Sequence, residues 1–412
     1  MESGSSNLLA ERYFVTRPQK TPQPTLITEQ AQIDDLCRHV RDEGVFAFDT
    51  EFVMEDRFES EVCLIQIAYR QETAIIDPFL DLNISSVWAL ACDAEVETVV
   101  HAGAEDLALC FQHTNQVPRN VFDVQIAAGL VSHDYPLSLQ KLVKTKLRVN
   151  LRKSKTLTDW RKRPLSDSQI RYAADDVEYL VAVRDKLHAQ LRSKRRLPWI
   201  KEEFAKLEDP TLYRRVEEEK LRRVKGSGTL DGRELAIVQR LLQWREQTAR
   251  KLDRPARVVL KDHLLVEIGR HRFASPSEVR DLRGINLSLK NIKELCAVVR
   301  ETLALSPDKW PAKPKTRRPD KPEEAALVSL VTAVIRSYCT EHQIAYGLAA
   351  TKGAIQDLVH ALSADQTGGP ESPVLLKGWR GRTVGAIVKD VLAGRKSLRV
   401  SRNDGKYQLL CE

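Results

Sequence analysis

Residues Val45–Phe52, VFAFDTEF, combine an apolar run with two acids and so indicate both the fold and the chemistry. The short apolar run predicts a strand that is covered on both faces. Asp49 and Glu51 stand two residues apart, so their side chains point to the same face of that strand. A D-x-E pair is usually part of a solvated face, but the apolar flanks argue against that alternative. Buried carboxylates need partners, and divalent cations that bind oxygen can provide them.

Strand and helix signals alternate around this stretch. The predicted strands are Val62–Tyr69, Glu72–Ile76 and Thr98–Val100, and the predicted helices are Gln30–Arg41 and Glu105–Phe111. Alternation of this kind is typical of a mixed α/β domain, which we place at residues 25–200. The acidic stretch is therefore expected inside a mixed sheet flanked by helices.

Strand signals end near residue 200, and most of the remaining chain has helical periodicity. Helices are predicted at Leu235–Leu252 and Leu289–Leu303, and a capping box opens another at Ser275. The predicted organisation is a flexible arm (1–24), the α/β domain (25–200), a connector (201–227), a helical domain (228–305), a proline-rich linker (306–322) and a mostly helical C-terminal module (323–412). A hairpin turning at Asn403-Asp404-Gly405 is predicted to close the chain.

Composition excludes several classes of protein. The 412 residues carry a net charge of +8, and 42% are hydrophobic and 30% charged, which is ordinary for a globular chain and unlike a disordered one. No run approaches the ~20 apolar residues that span a bilayer, and we expect no secretory signal. The seven cysteines include no C-x-x-C pair, which favours a reducing, cytoplasmic compartment over disulfides or a cysteine zinc site.

Two further acidic positions come later in the chain. Asp106 falls in the first turn of a predicted helix after the tripeptide HAG. Both Asp106 and Glu105 could simply compensate the helix dipole there. Tyr172 and Asp176 are four residues apart, so they share one face of a predicted helix. Taken alone, such a pair is usually exposed.

The acids together suggest a metal centre. Asp175 and Glu178 lie on other faces of their helix and are expected to meet solvent. The candidate site consists of the remaining acids and one phenol: Asp49, Glu51, Asp106, Asp176 and Tyr172. Two hard cations about 3.5–4 Å apart need several shared carboxylates, and Mg²⁺ or Mn²⁺ accepts oxygen ligands of this kind. We therefore predict two divalent metal ions, Mg²⁺ or Mn²⁺.

Three runs resemble the exonuclease motifs of ribonuclease D, a family of DEDD 3′→5′ exonucleases with tyrosine in the third motif. The runs are FDTEF at 48–52, HAGAEDL at 101–107 and WRKRPLSDSQIRYAADDVEYL at 160–180. The resemblance implies an α/β domain of ribonuclease-H-like fold. It also implies roles for the five site residues: Asp49, Glu51, Asp106 and Asp176 as catalytic metal ligands, and Tyr172 as the residue that positions the attacking water.

The helical domain resembles HRDC, the C-terminal module of helicases and ribonuclease D. The similarity lies in Trp244-Arg245, Asp253-x-Pro255 and Val258-Val259-Leu260-x-Asp262. It implies an all-α HRDC bundle at 228–305. The module at 323–412 lacks the full pattern, and a divergent second HRDC-like domain is one interpretation of it.

Basic residues are concentrated between the second and third motifs. The run comprises Lys141, Lys144, Lys146, Arg148, Arg152, Lys153, Lys155, Arg161, Lys162 and Arg163. Lysine and arginine side chains neutralise backbone phosphates, so this run favours RNA as a partner. A solvated basic loop is the alternative.

These features predict a hydrolase, a metal-dependent 3′→5′ exoribonuclease that releases nucleoside 5′-monophosphates. By resemblance, its substrates are structured RNA 3′ ends, above all tRNA precursors. We expect no membrane partner, and we favour a monomer. A DNA 3′→5′ exonuclease is one alternative, because no residue in the sequence can be assigned to reading a 2′-hydroxyl. A catalytically silent RNA-binding scaffold is the other, although all five site residues are present.

Overall fold

The computed structural model describes residues 23–53, 57–151, 158–213, 217–311, 319–364, 368–369, 372–403 and 405–412. Nearly all of the predicted arm and residues 312–318 of the predicted linker lie outside this part of the chain. The described residues fall into two compact units. The first is drawn from Met1–Glu51, Leu64–Asp209 and Asp320–Glu412, and the second from Phe52–Cys63 and Pro210–Pro319.

A mixed sheet forms the centre of the first unit. Its strands are β1 (Thr25–Ile27), β2 (Val45–Val53), β3 (Glu61–Tyr69), β4 (Glu72–Ile76), β5 (Glu97–Val100) and β6 (Val121–Asp123). They lie in the order β1-β4-β3-β2-β5-β6. The β1–β4, β2–β5 and β5–β6 pairs are parallel, whereas β3 and β4 are antiparallel. Strand β2 therefore has a neighbour on each side, which explains its apolar sequence.

The mixed α/β fold predicted from the sequence is confirmed. Strand β4 has the predicted bounds, and β2, β3 and β5 begin or end within one residue of them. The edge strand β1 was not predicted from the sequence. It is only three residues long, too short for an alternating pattern, and it is fixed by parallel pairing with β4.

Helices flank this sheet. They are α1 (Gln30–Glu43), α2 (Ser85–Leu90), α3 (Ala104–Thr114), α4 (Val124–Gly129), α5 (Leu139–Leu147), α6 (Asp167–Val177), α7 (Leu180–Ser193) and α8 (Leu197–Leu207). Local signals set their ends. Helix α6 begins with a capping box between Ser166 and Gln169, and α1 stops at Gly44, whose φ of 69° suits glycine.

The second unit has a helical core. Its α-helices are α9 (Pro210–Tyr213), α10 (Glu217–Arg223), α11 (Gly232–Leu252), α12 (Ala256–Val259), α13 (Asp262–His271), α14 (Pro276–Arg280) and α15 (Leu289–Leu303). Short 3₁₀ helices lie at Ser227–Thr229 and Pro307–Lys309. Helix α13 packs closely on α11, since a Cβ added to Gly269 would lie 2.6 Å from Val238 Cγ2. Arg245 of α11 donates to the Leu260 carbonyl at 2.9 Å and so fixes the end of α12.

The C-terminal residues belong to the same compact unit as the sheet. They form α16 (Pro322–His342), α17 (Tyr346–Ala349), α18 (Lys352–Ser363), a 3₁₀ helix (Val374–Leu376), α19 (Gly378–Arg382), α20 (Val384–Leu392) and the hairpin β7 (Leu398–Asn403) and β8 (Lys406–Cys411). The predicted hairpin is confirmed, although Asp404 of its turn lies outside the described residues. No helix in the described part of the chain is both long and apolar enough to cross a bilayer.

Trp379 anchors these C-terminal residues to α8. Its ring is fully buried and stacks on Trp199 at 5.1 Å between centroids. Its indole nitrogen donates to Glu203 at 2.6 Å, and Arg380 donates to the same carboxylate at 2.5 Å. Two rings and a neutralised buried acid therefore hold α19 on α8.

Candidate active site

The two acids of β2 lie where the sequence predicts them. Asp49 and Glu51 are both half-buried, and Thr50 between them is 6% exposed, as the alternation of a strand requires. Burial raises the pKa of Asp49 well above its ordinary value, and the carboxylates of Asp106 and Asp176 raise it further. Burial, followed by the same two carboxylates, raises the pKa of Glu51 to about 8. The solvated-strand alternative is therefore wrong.

Asp106 enters the site from the first turn of α3. Its side chain is 7% exposed and accepts a hydrogen bond from the Thr50 hydroxyl at 2.5 Å. That bond ties the helix to the middle of the D-x-E pair on β2. Burial raises the pKa of Asp106, although the hydrogen bond from Thr50 opposes the shift. Glu105, which could equally compensate the helix dipole from its place in the sequence, is exposed.

Asp123, which sequence reasoning missed, fixes the turn before α3. Its carboxylate is 3% exposed and accepts from the backbone nitrogens of Ala102 at 3.3 Å and Gly103 at 3.2 Å. The same carboxylate caps α4 through Gln125 N at 2.8 Å. A Cβ on Gly103 would lie 2.5 Å from Val100 Cβ, so glycine is required here. The only sequence signal for Asp123 was its place at the start of a helix.

Tyr172 and Asp176 meet on α6 as the spacing predicts. The Tyr172 hydroxyl hydrogen-bonds the Asp176 carboxylate, and this contact opposes the effect of burial, which raises the pKa of Asp176 to about 7. The expectation that Asp175 and Glu178 meet solvent is wrong. Their side chains are only 14% and 13% exposed, because Arg171 pairs with both.

The segment before α6 is held by Arg163. Its guanidinium donates two hydrogen bonds to Asp77, at 2.5 and 2.7 Å, and a third to the Trp160 carbonyl at 2.7 Å. The ring of Trp160 lies 6.0 Å from that of Tyr172. Asp77 follows directly after β4, so this bidentate pair connects the sheet to the tyrosine. The sequence places Arg163 in a motif but gives no sign of Asp77 as its partner.

These contacts bring together acids from three separate segments. The repulsion that raises the pKa of Asp49 comes from Asp106, Asp176 and Glu51. No basic side chain of the described residues is among the principal influences on these four carboxyls. Within the described part of the chain, the site therefore gathers acids without a cation to offset them, which a structural ion-pair network would not do.

Comparison with known proteins agrees with this geometry. The sequence profile of the 3′-5′ exonuclease family matches residues 24–192, and that of the HRDC domain matches residues 234–296. The chain is 30% identical to ribonuclease D of Granulibacter bethesdensis over 389 residues, which cover 93% of this chain and 96% of that protein. It is 31% identical to ribonuclease D of Pseudomonas paraeruginosa, covering 92% and 99%.

The chain belongs to the ribonuclease D family. The crystal structure of Escherichia coli RNase D, described as an exoribonuclease involved in structured RNA processing, matches 90% of this chain and 99% of its own. The TM-score is 0.76 at 27% sequence identity. The resemblance predicted from the three motifs and the HRDC pattern is confirmed.

Ribonuclease D enzymes belong to a divalent-metal-dependent class, so the acids can be tested for their fit to a cation. No group of three or more Asp, Glu, His or Cys side chains in the described part of the chain is already arranged to hold a metal ion. The donor set nevertheless suits one. It offers hard carboxylate oxygens that repel one another and have no cation among their principal influences in the described residues, which is the environment that Mg²⁺ or Mn²⁺ satisfies.

The members of the basic run differ in their surroundings. Residues 152–157, which carry Arg152, Lys153 and Lys155, lie outside the described residues. Lys141 pairs with Asp134 at 2.7 Å, and half-buried Lys146 donates to Gln190 at 2.6 Å. The side chains of Lys144, Arg148 and Lys162 are exposed. The run is therefore partly structural, and these three exposed cations are the described members best placed to meet a phosphate backbone.

Proposed function

We propose that this protein is a 3′→5′ exoribonuclease that uses divalent metal ions to trim the 3′ ends of structured RNA, tRNA precursors above all. The observation that carries the proposal is the set of acids on β2, α3 and α6 that raise one another's pKa values with no offsetting cation among the residues that the structure describes. Membership of the ribonuclease D family and the 3′-5′ exonuclease domain support it.

The residues proposed to hold two Mg²⁺ or Mn²⁺ ions are Asp49, Glu51, Asp106 and Asp176. When bound, the ions would stabilise the charge that develops at the scissile phosphate and favour ionisation of the attacking water. The charge balance supports this assignment, because a divalent cation replaces the protons that the raised pKa values keep on the metal-free acids.

Three contacts made by uncharged side chains position the residues of the proposed site. Thr50 holds Asp106 against β2. The Tyr172 hydroxyl donates to Asp176, and we propose that the same oxygen orients the attacking water in line with the last phosphodiester bond. Trp160, fixed through Arg163, keeps the phenol ring in place. The proposed product is a nucleoside 5′-monophosphate.

RNA is the proposed substrate because the relatives are named for it. The E. coli enzyme is described as processing structured RNA, and the exposed members of the basic run suit a phosphate backbone. We propose that the enzyme acts in the cytoplasm as a monomer. All seven cysteines are free thiols, as a reducing compartment requires.

Product analysis on a 3′-extended tRNA tests the proposal. With Mg²⁺ or Mn²⁺ we expect the extension to shorten from its 3′ end with release of 5′-monophosphates, and EDTA should stop the reaction until metal is restored. A DNA oligonucleotide of matched sequence separates the two nuclease alternatives, since faster cleavage of DNA would favour a DNA exonuclease. Binding of RNA without cleavage in every metal would identify a silent scaffold.

A further inference from the structure

Two cysteine sulfurs meet beside the helix that carries Asp106. Cys92 lies just after the end of α2, and Cys110 lies in α3, one turn beyond Asp106. Their Sγ atoms are 3.5 Å apart although the residues are 18 positions apart in the chain. Both are free thiols in the structure. A disulfide needs an S–S distance of about 2.05 Å, so the two sulfurs would have to approach by roughly 1.5 Å.

The two thiols differ in their access to solvent. Cys92 is half-buried, and its sulfur lies 3.6 Å from the Thr114 hydroxyl and 3.7 Å from the Gln116 carbonyl. Cys110 is completely buried, and its sulfur faces the Trp88 carbonyl at 3.4 Å. A small oxidant can therefore reach Cys92 first, while Cys110 lies within reach of whatever forms on Cys92.

The same contacts separate the acidities of the two thiols. The hydrogen bond with Cys110 lowers the pKa of Cys92 to about 7, despite the opposing effect of partial burial. That hydrogen bond and burial together raise the pKa of Cys110. Since the thiolate is the reactive form, Cys92 is the more nucleophilic partner near neutral pH.

We propose that Cys92 and Cys110 form a redox-active dithiol that peroxides oxidise to an intramolecular disulfide. With hydrogen peroxide, the Cys92 thiolate attacks one peroxide oxygen and breaks the O–O bond, giving a sulfenic acid and hydroxide, which takes up the released proton as water. The Cys110 sulfur then attacks the Cys92 sulfur, and the sulfenic oxygen leaves with the Cys110 proton as a second water. Two thiols lose two electrons in total, and one peroxide is reduced to two waters.

The position of the pair gives the bond a structural consequence. It would join the end of α2 to the helix that presents Asp106, while Trp88 of α2 already contacts Phe48 of β2 at 5.8 Å between ring centroids. An exchange with a small thiol would reverse the bond, as expected of reversible disulfides in a reducing compartment.

Peptide mapping after treatment of the folded, full-length protein with hydrogen peroxide tests this inference. No lysine or arginine separates the two cysteines, so cleavage at the glutamates between them, such as Glu97 and Glu105, is needed to place them on different peptides. We expect one cross-link, between the Cys92 and Cys110 peptides, with loss of two thiols and full recovery after dithiothreitol.

Cysteine variants identify the order of events. Cys110→Ser, or Cys110→Ala if serine disturbs the core, should leave a Cys92 sulfenic acid that dimedone traps. Cys92→Ser should leave Cys110 unmodified at the same dose, and Cys411→Ser, at the other half-buried cysteine, should leave the cross-link unchanged. Circular dichroism confirms that each variant is folded. Absence of the Cys92–Cys110 cross-link in the folded wild-type protein, or an equal yield of other cysteine pairs, would overturn the inference.

Discussion

Two buried acids in the first unit, Asp106 and Glu203, have opposite surroundings. They are similarly buried, at 7% and 6% exposure. Burial raises the pKa of Asp106, and its neighbours across the site are other acids. Burial acts on Glu203 in the same direction, but hydrogen bonds from Arg380 and Lys206 bring its pKa below the ordinary value. One acid is neutralised within the fold, whereas no basic side chain of the described residues is among the principal influences on the other.

On the proposed assignment, this difference separates a structural acid from a functional one. The contacts of Glu203 hold α19 on α8 and leave no charge to satisfy. The acids around Asp106 destabilise one another and can recover that free energy only by binding protons or a cation. Substitutions among the acids around Asp106 should therefore lower activity without lowering stability. Substitutions around Glu203 should lower stability and leave activity nearly unchanged.

Asp176→Asn should reduce turnover more than any other substitution. We expect kcat on a 3′-extended tRNA to fall by about 10²–10³-fold, because one preorganised charge of the site is lost. Binding of RNA and the Tm of the metal-free protein should not fall, since a repelling carboxylate has been removed. Asp175→Asn on the same helix is the matched control, because Asp175 pairs with Arg171 instead. Unchanged turnover in Asp176→Asn would contradict the assignment.

Arg380→Met should have the opposite effect, on stability and not on activity. It removes the 2.5 Å ion pair of buried Glu203, so the free energy of unfolding should fall by about 3 kcal/mol in urea titrations. The activity of the folded fraction should be nearly unchanged. Arg382→Met is the control, because Arg382 is 59% exposed and its pair with Glu202 should contribute less than about 1 kcal/mol. Equal losses from both variants would show that Glu203 is not the anchor.

Tyr172→Phe should slow the reaction without weakening metal binding. It removes the hydroxyl that donates to Asp176 but keeps the ring that packs beside Trp160. We expect kcat to fall by about 10–10²-fold, in the lower range of contributions from a positioned proton donor or acceptor. Calorimetric titration with Mn²⁺ should give a Kd within a few-fold of wild type. A large loss of Mn²⁺ affinity would instead make Tyr172 part of the metal site.

Arg163 should act as a positioning residue. Arg163→Met breaks the bidentate pair with Asp77 and frees the Trp160 carbonyl, so we expect kcat to fall about 10-fold with KM little changed. Arg163→Lys should recover part of the loss, because lysine keeps the charge but not the planar fork. Assays well below the Tm of each variant separate this role from stability. An effect on KM alone would point to direct RNA contact.

The weakest of these effects is the dependence of stability on pH. The pKa of Glu51 is raised from 4.5 to about 8 and that of Asp176 to about 7, so the folded protein holds protons that the unfolded chain has released. The site's contribution to stability therefore falls as pH rises from about 5 to 8. In EDTA, the Tm of wild type should decline over this window more than that of Asp49→Asn. Mn²⁺ should restore more stability at pH 8 than at pH 5, and a flat profile would contradict the charge argument.

The strands and helices around the site were largely predictable because their signals are local. An apolar run or a 3.6-residue period reports burial of a single element, and β4 and α15 have the predicted bounds. The acids of the candidate site were also found from local features, namely two-residue spacing on a strand, a helical first turn and an i, i+4 pair. Local spacing failed for Asp175 and Glu178, because it does not show that Arg171 pairs with both.

Local features of the amino-acid sequence are enough to propose the candidate site residues and the elements that present them. Only the tertiary structure decided their partners. Asp77 lies 86 residues from Arg163 in the chain, and Glu203 lies 177 residues from Arg380. Pairings at such separations depend on how whole elements pack, so they leave no periodic trace in the sequence. The packing therefore also decides which buried acids are neutralised within the fold and which are left for the proposed metal ions.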